Sequence, residues 1–198
     1  MAPNSTEYFI EHIRKRVSLD PAEVDKLLAS FHLRKVKRKE FLMQPGPAAK
    51  WRCYVLNGVF RSYVINEEGE DHTIQIAPED WWVTDYDSYL SQIPATMFIV
   101  AVEDSEVMQI DFETEKILKA GHHKFETFFR MMAERTVAFG QKRVIISLSK
   151  TAEERYNYFT EIYPQLADRV PQYALASYLG MTPEFLSRIR NKKSKAPK

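Results

Sequence analysis

LASYLGMTPEFLSRIR, residues 175–190, reads as two short helices joined by a tight turn. Counted from Gly180, the apolar residues Leu175, Leu179, Met181, Leu186 and Ile189 fall at −5, −1, +1, +6 and +9, with the small Ala176 at −4. Helices that cross steeply need a small residue where their backbones meet, and a glycine where the turn takes positive φ. Thr182 is placed to cap the second helix, with Pro183 at its first position. The apolar residues then share a core, which leaves Glu184, Ser187, Arg188, Asn191 and Lys192 on the outer side. In a helix-turn-helix that side enters the major groove of DNA. With Thr182, Phe185 and Lys193, these are the candidate DNA-contacting residues.

An ordinary helical hairpin with its own small core has the same apolar spacing. Charge favours the DNA reading. Arg188, Arg190, Lys192, Lys193, Lys195 and Lys198 stand against Glu184 alone, in a chain whose formal net charge is only +1. A local excess of this kind is more telling than a diffuse one.

The 198 residues suit one or two domains with real cores, and 44% hydrophobic with 28% charged residues is ordinary for a globular protein. The one cysteine, Cys53, lies beside Trp51, Tyr54 and Val55 and reads as a packed thiol. It allows no intramolecular disulfide and no four-cysteine cluster. The first residues are too polar for a signal peptide, and no apolar run reaches the ~20 residues of a membrane span. The expected compartment is the cytoplasm, with no membrane partner. The five histidines do not cluster with carboxylates as a metal-dependent barrel enzyme requires, and no phosphate-cradling glycine loop occurs. The chain is not expected to be an enzyme, and no metal or cofactor is indicated.

Residues 5–17 and 21–30 read as helices, the second capped by Asp20. From about 33 to 110, short β-branched and aromatic runs alternate with turn signals, as in WRCYVLNG, HTIQIAPED and EVMQIDF. That texture predicts an antiparallel roll or jelly roll. Residues 112–120 form a short helix, and 122–149 a long one of about 40 Å. Along it Phe125, Phe129, Met132, Thr136, Phe139, Arg143 and Ile146 are spaced alternately by four and three, the pattern of a coiled-coil seam. The expected seam, Phe125 to Arg143 in that series, makes a homodimer; the other reading packs the same face on the chain's own β domain. Thr151-Ala152-Glu153-Glu154 is a capping box that starts a fresh helix and marks 149–151 as a hinge. The fold class is α+β. A β-roll with N-terminal helices spans 1–121, a dimerisation helix 122–150 and a helix-turn-helix domain 151–198.

This order of elements resembles the catabolite-activator/Fnr (Crp/Fnr) family of bacterial transcription regulators. The resemblance is carried by TAEERYNYF (151–159) and LASYLGMTPEFLSRIR (175–190), and more loosely by LNGVFRSY (56–63). It implies a cyclic-nucleotide-binding-type β-roll, a dimerisation helix and a winged-helix DNA reader. Glu184 and Arg188 match the family's base-reading glutamate and arginine, and four residues apart they share one helix face. Pro183 stands where some members carry a third reader, an arginine, so base preference is expected to differ. The sequence stops soon after the recognition helix. The wing is therefore expected to be reduced or absent, with phosphate contacts supplied by the lysine-rich 192–198.

The sensor departs from the family's phosphate-binding cassette. The stretch 80–98, DWWVTDYDSYLSQIPATMF, has Val83-Thr84 near the Gly-Glu position and Ala95 near the arginine position, and no arginine or lysine occurs from 68 to 109. A cyclic phosphate would lack its charge-assisted partner there, so a cyclic nucleotide is not the expected effector. Trp82, Tyr86, Tyr89, Thr96 and Phe98 are the candidate effector pocket, for an apolar or cationic ligand; the other reading is aromatic packing that fills the old cavity. The function implied is a dimeric, sequence-specific regulator of transcription. Its expected partners are double-stranded DNA, a second copy and an unidentified small-molecule effector, with RNA polymerase a further candidate. The alternative is a ligand-binding or protein-interaction module of the same fold that has lost specific DNA reading.

Overall fold

The computed structural model describes residues 5–194. Two helices, α1 (Ser5–Arg14) and α2 (Pro21–Ala29), precede the sheets. Asp20 caps α2 as expected. Its carboxylate accepts the Glu23 N–H at 2.9 Å, and the Glu23 carboxylate accepts the Asp20 N–H at 2.8 Å. The strands are β1 (His32–Val36), β2 (Phe41–Met43), β3 (Trp51–Asn57), β4 (Phe60–Ile65), β5 (Asp71–Ala77), β6 (Trp82–Val83), β7 (Phe98–Ala101) and β8 (Ser105–Asp111). A short helix, α3 (Tyr86–Ser91), follows β6. Two antiparallel four-stranded sheets, β1-β8-β3-β6 and β2-β7-β4-β5, form the roll.

Alternation along β3 builds two cores. Cys53 and Val55 point between the sheets, towards Phe60, Ala77, Ile99 and Val107. Burial pushes the Cys53 thiol up to about 12, which leaves it a packing group and not a reactive one. Tyr54 and Leu56 point outward, with Met108 and Ile110, beneath α1, α2 and the helices that follow the roll. At the β3–β4 turn Gly58 takes φ +97°, and a Cβ there would collide with Ser105.

After the roll come α4 (Phe112–Gly121) and the 27-residue α5 (His123–Ser149). Then α6 (Ala152–Ile162), α7 (Leu166–Arg169), α8 (Gln172–Leu179) and α9 (Pro183–Ser194) form the C-terminal region. The chain bends at Lys150, which is extended, and Thr151 and Glu154 form the anticipated capping box.

Most of the α5 face expected to meet a partner packs on this chain. Phe125, Phe129 and Met132 are buried on the outer side of the roll. Phe139 meets the Trp81 ring at 4.5 Å, and Arg143 donates to the carbonyls of Thr73, at 3.1 Å, and Ile74. Thr136 stays exposed and donates to the Met132 carbonyl at 2.9 Å. A four-three stripe rich in phenylalanine fits a sheet as well as a second helix, and here the sheet is the nearer surface. The exposed apolar row of α5 is Val137, Val144, Ile145 and Leu148.

The C-terminal helices dock on the roll through its edge strand β5. Ser177 Oγ accepts the Thr73 N–H at 2.8 Å and donates to the Asp71 carbonyl at 3.1 Å. Arg169 bridges Glu79, at 2.6 and 3.0 Å, and Glu103, at 2.5 and 3.2 Å. Val59 and Ile76 of the roll join the apolar cluster of Tyr156, Leu166 and Leu175. An edge that would otherwise present unpaired backbone groups is thus covered.

At the N-terminal end, α1 is pinned to the roll by Asp80, which takes a left-handed φ of 68°. Its carboxylate accepts from Tyr8 at 2.8 Å and from Tyr54, and lies 3.2 Å from His12 Nδ1. Burial lowers the His12 pKa from 6.5; the Asp80 contact opposes that shift and Arg16 and Lys15 add to it. The His12 contact foremost, with the two tyrosines, holds Asp80 below its usual 3.8. Both folded values lie below the unfolded ones. Stability is therefore full above 6.5, falls as pH drops past His12's ordinary value, and falls again below 3.8. His12→Gln is expected to remove the first of these losses. Urea unfolding at pH 7 and pH 5 checks it: an unchanged drop in the variant would contradict the assignment.

Candidate nucleic-acid interface

The turn between α8 and α9 follows from its residues. Gly180 sits at φ 66°, ψ 47°, the left-handed C-cap that only glycine adopts freely, and its N–H bonds the Ala176 and Ser177 carbonyls. The Met181 N–H returns to Ala176 O at 3.0 Å. Thr182 Oγ1 then accepts the Phe185 N–H at 3.2 Å, and Pro183 opens α9. Ala174, Leu175, Ala176, Leu179, Leu186 and Ile189 are buried in the shared core. Gln172 donates to the Pro183 carbonyl at 2.8 Å and ties the two helices together.

The opposite face of α9 is open. Thr182, Glu184, Phe185, Arg188, Asn191 and Lys192 are exposed and Ser187 is half-buried. The Arg188 guanidinium lies 5.1 Å from the centre of the Phe185 ring, a contact that props the arginine outward from the helix. Its own N-terminal backbone and Thr182 hold Glu184 below the usual carboxylate range, so it is an ionised acceptor. An acceptor and a fork of donors four residues apart can address neighbouring base edges in a major groove. Two further cations brace the helix: Arg190 pairs with Asp168 at 3.2 Å and Lys192 with Glu153 at 3.4 Å. Helix α9 runs through Ser194, so Lys192 lies on the helix and not in a tail; the Lys193 side chain, with Lys195 and Lys198, lies outside the described residues. Among the described residues from 151 onward every element is a helix.

The expected effector group is not gathered into one cavity. Trp82, Tyr86 and Tyr89 meet, but around a buried ion pair on the outer side of the roll. The Arg52 guanidinium lies 4.8 Å from the Trp82 ring and 5.3 Å from Tyr86, and the Tyr89 hydroxyl donates to Glu115 at 3.0 Å. Phe98 stacks on Tyr63 at 5.0 Å. The Thr96 N–H donates to Asp85 at 2.8 Å, and the same carboxylate caps α3 at Ser88. The alternating pleat sends Ile99 and Ala101 inward and Phe98 outward, which aromatic content alone does not reveal. The roll does hold a cavity of about 290 Å³, lined by Leu42, Met43, Cys53, Val83 and Ile99 with Arg34 and Lys50. Those two cations come from outside the uncharged-by-lysine-or-arginine stretch 68–109, and Arg34 is paired with Glu40 at 2.9 Å.

Among the described residues no group of three or more His, Cys, Asp or Glu is placed to hold a metal ion, and no helix is long and apolar enough to cross a membrane. Sequence reasoning missed Arg169 and Ser177, and gave Arg143 to the seam, whereas all three fasten α5 and the C-terminal helices to the roll. Their partners lie 66 to 106 residues away, so no local pattern marks them.

No protein-family model matches this sequence, and no curated protein matches it significantly. Solved structures do. FixK2 from Bradyrhizobium japonicum superposes with a TM-score of 0.67 at 16% identity, covering 82% of this chain and 83% of its own. The catabolite activator protein of Thermus thermophilus gives 0.56 at 19% identity over 93% and 87%. The c-di-GMP responsive global regulator CLP of Xanthomonas campestris gives 0.63 at 14% over 88% and 92%. The β-roll, the long helix and the helix-turn-helix of this chain together make the fold of the Crp/Fnr regulators.

Proposed function

We propose that this protein is a dimeric, sequence-specific DNA-binding regulator of transcription. The observation that carries the reading is the open face of α9, where Glu184 and Arg188 stand exposed on a capped, well-packed helix-turn-helix. The fold shared with the catabolite activator protein and CLP supports it. The chain acts as a binding protein and not as an enzyme. Two copies joined along α5 would present two recognition helices, and an operator with half-sites ~34 Å apart suits such a pair.

The roll is proposed to respond to something other than a cyclic nucleotide. In support, the Thr96 and Ser88 N–H groups, two backbone donors of the 80–98 stretch, are already taken by the Asp85 carboxylate. An incoming phosphate would have to displace a buried anion.

The test is selection of bound sequences from random DNA, followed by anisotropy titrations against the selected and a scrambled site. Arg188→Ala is expected to cut the ratio of the two affinities by about 10–100-fold. Lys192→Ala is expected to weaken both sites alike and to flatten the salt slope by about one. No preference over random DNA at moderate salt would overturn the proposal in favour of a module that does not read sequence. Equal effects of the two variants would overturn the roles given to the residues.

A further inference from the structure

A second cavity, of about 340 Å³, lies where the C-terminal half of α5 meets α6 and α8. Its apolar walls are Phe139 and Ile146 from α5 and Phe159 and Ile162 from α6. Three tyrosines, Tyr158, Tyr163 and Tyr178, complete it, and among the described residues their hydroxyls have no hydrogen-bond partner. Burial raises Tyr163 to about 12, with Tyr178 and Tyr158 adding to the shift, and burial raises Tyr178 as well, so these two phenols stay protonated as donors.

The charge is one-sided. Lys142, Arg143 and Arg155 line the cavity and no aspartate or glutamate does. Arg155 spends its guanidinium on three backbone carbonyls, those of Leu179, Lys150 and Gly180, at 2.7 to 3.1 Å. Arg143 bonds the Thr73 and Ile74 carbonyls and lies 4.4 Å from the centre of the Tyr178 ring. Lys142 lies over Tyr158 at 5.3 Å. None of the three has a carboxylate partner among the described residues. Carbonyls and ring faces satisfy the donors but leave the net charge uncompensated. A half-enclosed site with aromatic walls, free phenols and three unneutralised cations favours a planar anion.

We propose that this cavity binds a small aromatic carboxylate. The ring lies among Phe139, Phe159 and Tyr163, and the carboxylate takes up the charge of Lys142 and its arginine neighbours. The walls come from both sides of the bend at Lys150, so an occupant touches α5 and the DNA-reading helices at once. It therefore favours the α5–α6 angle seen here. If that angle differs from the one used on DNA, ligand and operator oppose each other by the same factor in both directions.

The binding test needs no DNA, so its failure is separate from failure of the regulator reading. 4-Hydroxybenzoate and indole-3-acetate are titrated into the full chain by calorimetry, with Trp81, 4.5 Å from Phe139, as a fluorescence reporter. At least one acid is expected to bind with Kd below about 1 mM. 4-Hydroxybenzamide should bind about tenfold more weakly and tyramine not measurably. Lys142→Gln, an exposed change on α5, should weaken the acid about tenfold, whereas Lys50→Gln at the roll cavity should leave it unchanged. Absence of binding by both acids, equal binding of acid and amide, indifference to Lys142→Gln, or loss with Lys50→Gln would each overturn the proposal.

Discussion

Replacing Glu115 by alanine is expected to cost about 3–5 kcal/mol and to lower the melting temperature by roughly 10 °C. Glu115 and Arg52 are 4% and 2% exposed, and the Arg52 Nη1 lies 3.2 and 3.4 Å from the two carboxylate oxygens. The same carboxylate takes the Tyr89 hydroxyl at 3.0 Å and has Lys119 at 3.6 Å. The Arg52 guanidinium is otherwise enclosed by the rings of Trp82, Tyr86 and Phe129. The pair thus joins β3 to α4, with α3 and α5 packed against it. Removing the carboxylate leaves a guanidinium with aromatic faces but no anion, and little water to replace it. The size of the effect comes from that orphaned charge and not from the net worth of the pair. Arg52→Met combined with Glu115→Leu should therefore be less damaging than Glu115→Ala, since it buries no charge at all. Calorimetric melting of the three proteins checks this. A loss under about 1 kcal/mol for Glu115→Ala, below the cost of orphaning a buried charge, would show that water reaches Arg52.

The punctuation of this chain was legible in its sequence. The caps at Asp20 and Thr151, Gly180 in its left-handed turn, and the strands β3, β5 and β8 all stand where local chemistry places them. The open face of α9 was legible for the same reason, because helical spacing separates Leu186 and Ile189 from Glu184 and Arg188. What local chemistry cannot show is the addressee of a face. The aromatic 80–98 segment has the composition of a pocket wall. Its Trp82, Tyr86 and Tyr89 instead close over Arg52, and the ion pair that organises them joins residues 63 apart. The α5 stripe has the same ambiguity, since a period of four and three says that a face is buried and not what buries it.

That ambiguity moves the proposed dimer interface, and with it the second large effect. Phe129 is 2% exposed under the roll, so Phe129→Glu is expected to destabilise the fold rather than merely dissociate a dimer. The row left for a partner is Val137, Val144 and Leu148, exposed by 61%, 58% and 84%, with Ile145 beside it at 62%. With Gln141 between them, 137, 141, 144 and 148 again step by four, three and four, a seam on the far side of the helix. Gly140 borders it with nothing within 4 Å of where a Cβ would stand, so a second helix can approach closely there. Val144→Glu should therefore leave the monomer's melting profile intact while abolishing the dimer in sedimentation equilibrium. Two recognition helices held together gain about 10²–10⁴ in apparent affinity over one, so binding to a two-half-site operator should fall by about that factor while binding to a single half-site is unchanged. A Val144→Glu protein that still sediments as a dimer would place the interface elsewhere. A wild-type protein that sediments as a monomer and still holds a two-half-site operator tightly would remove the need for one.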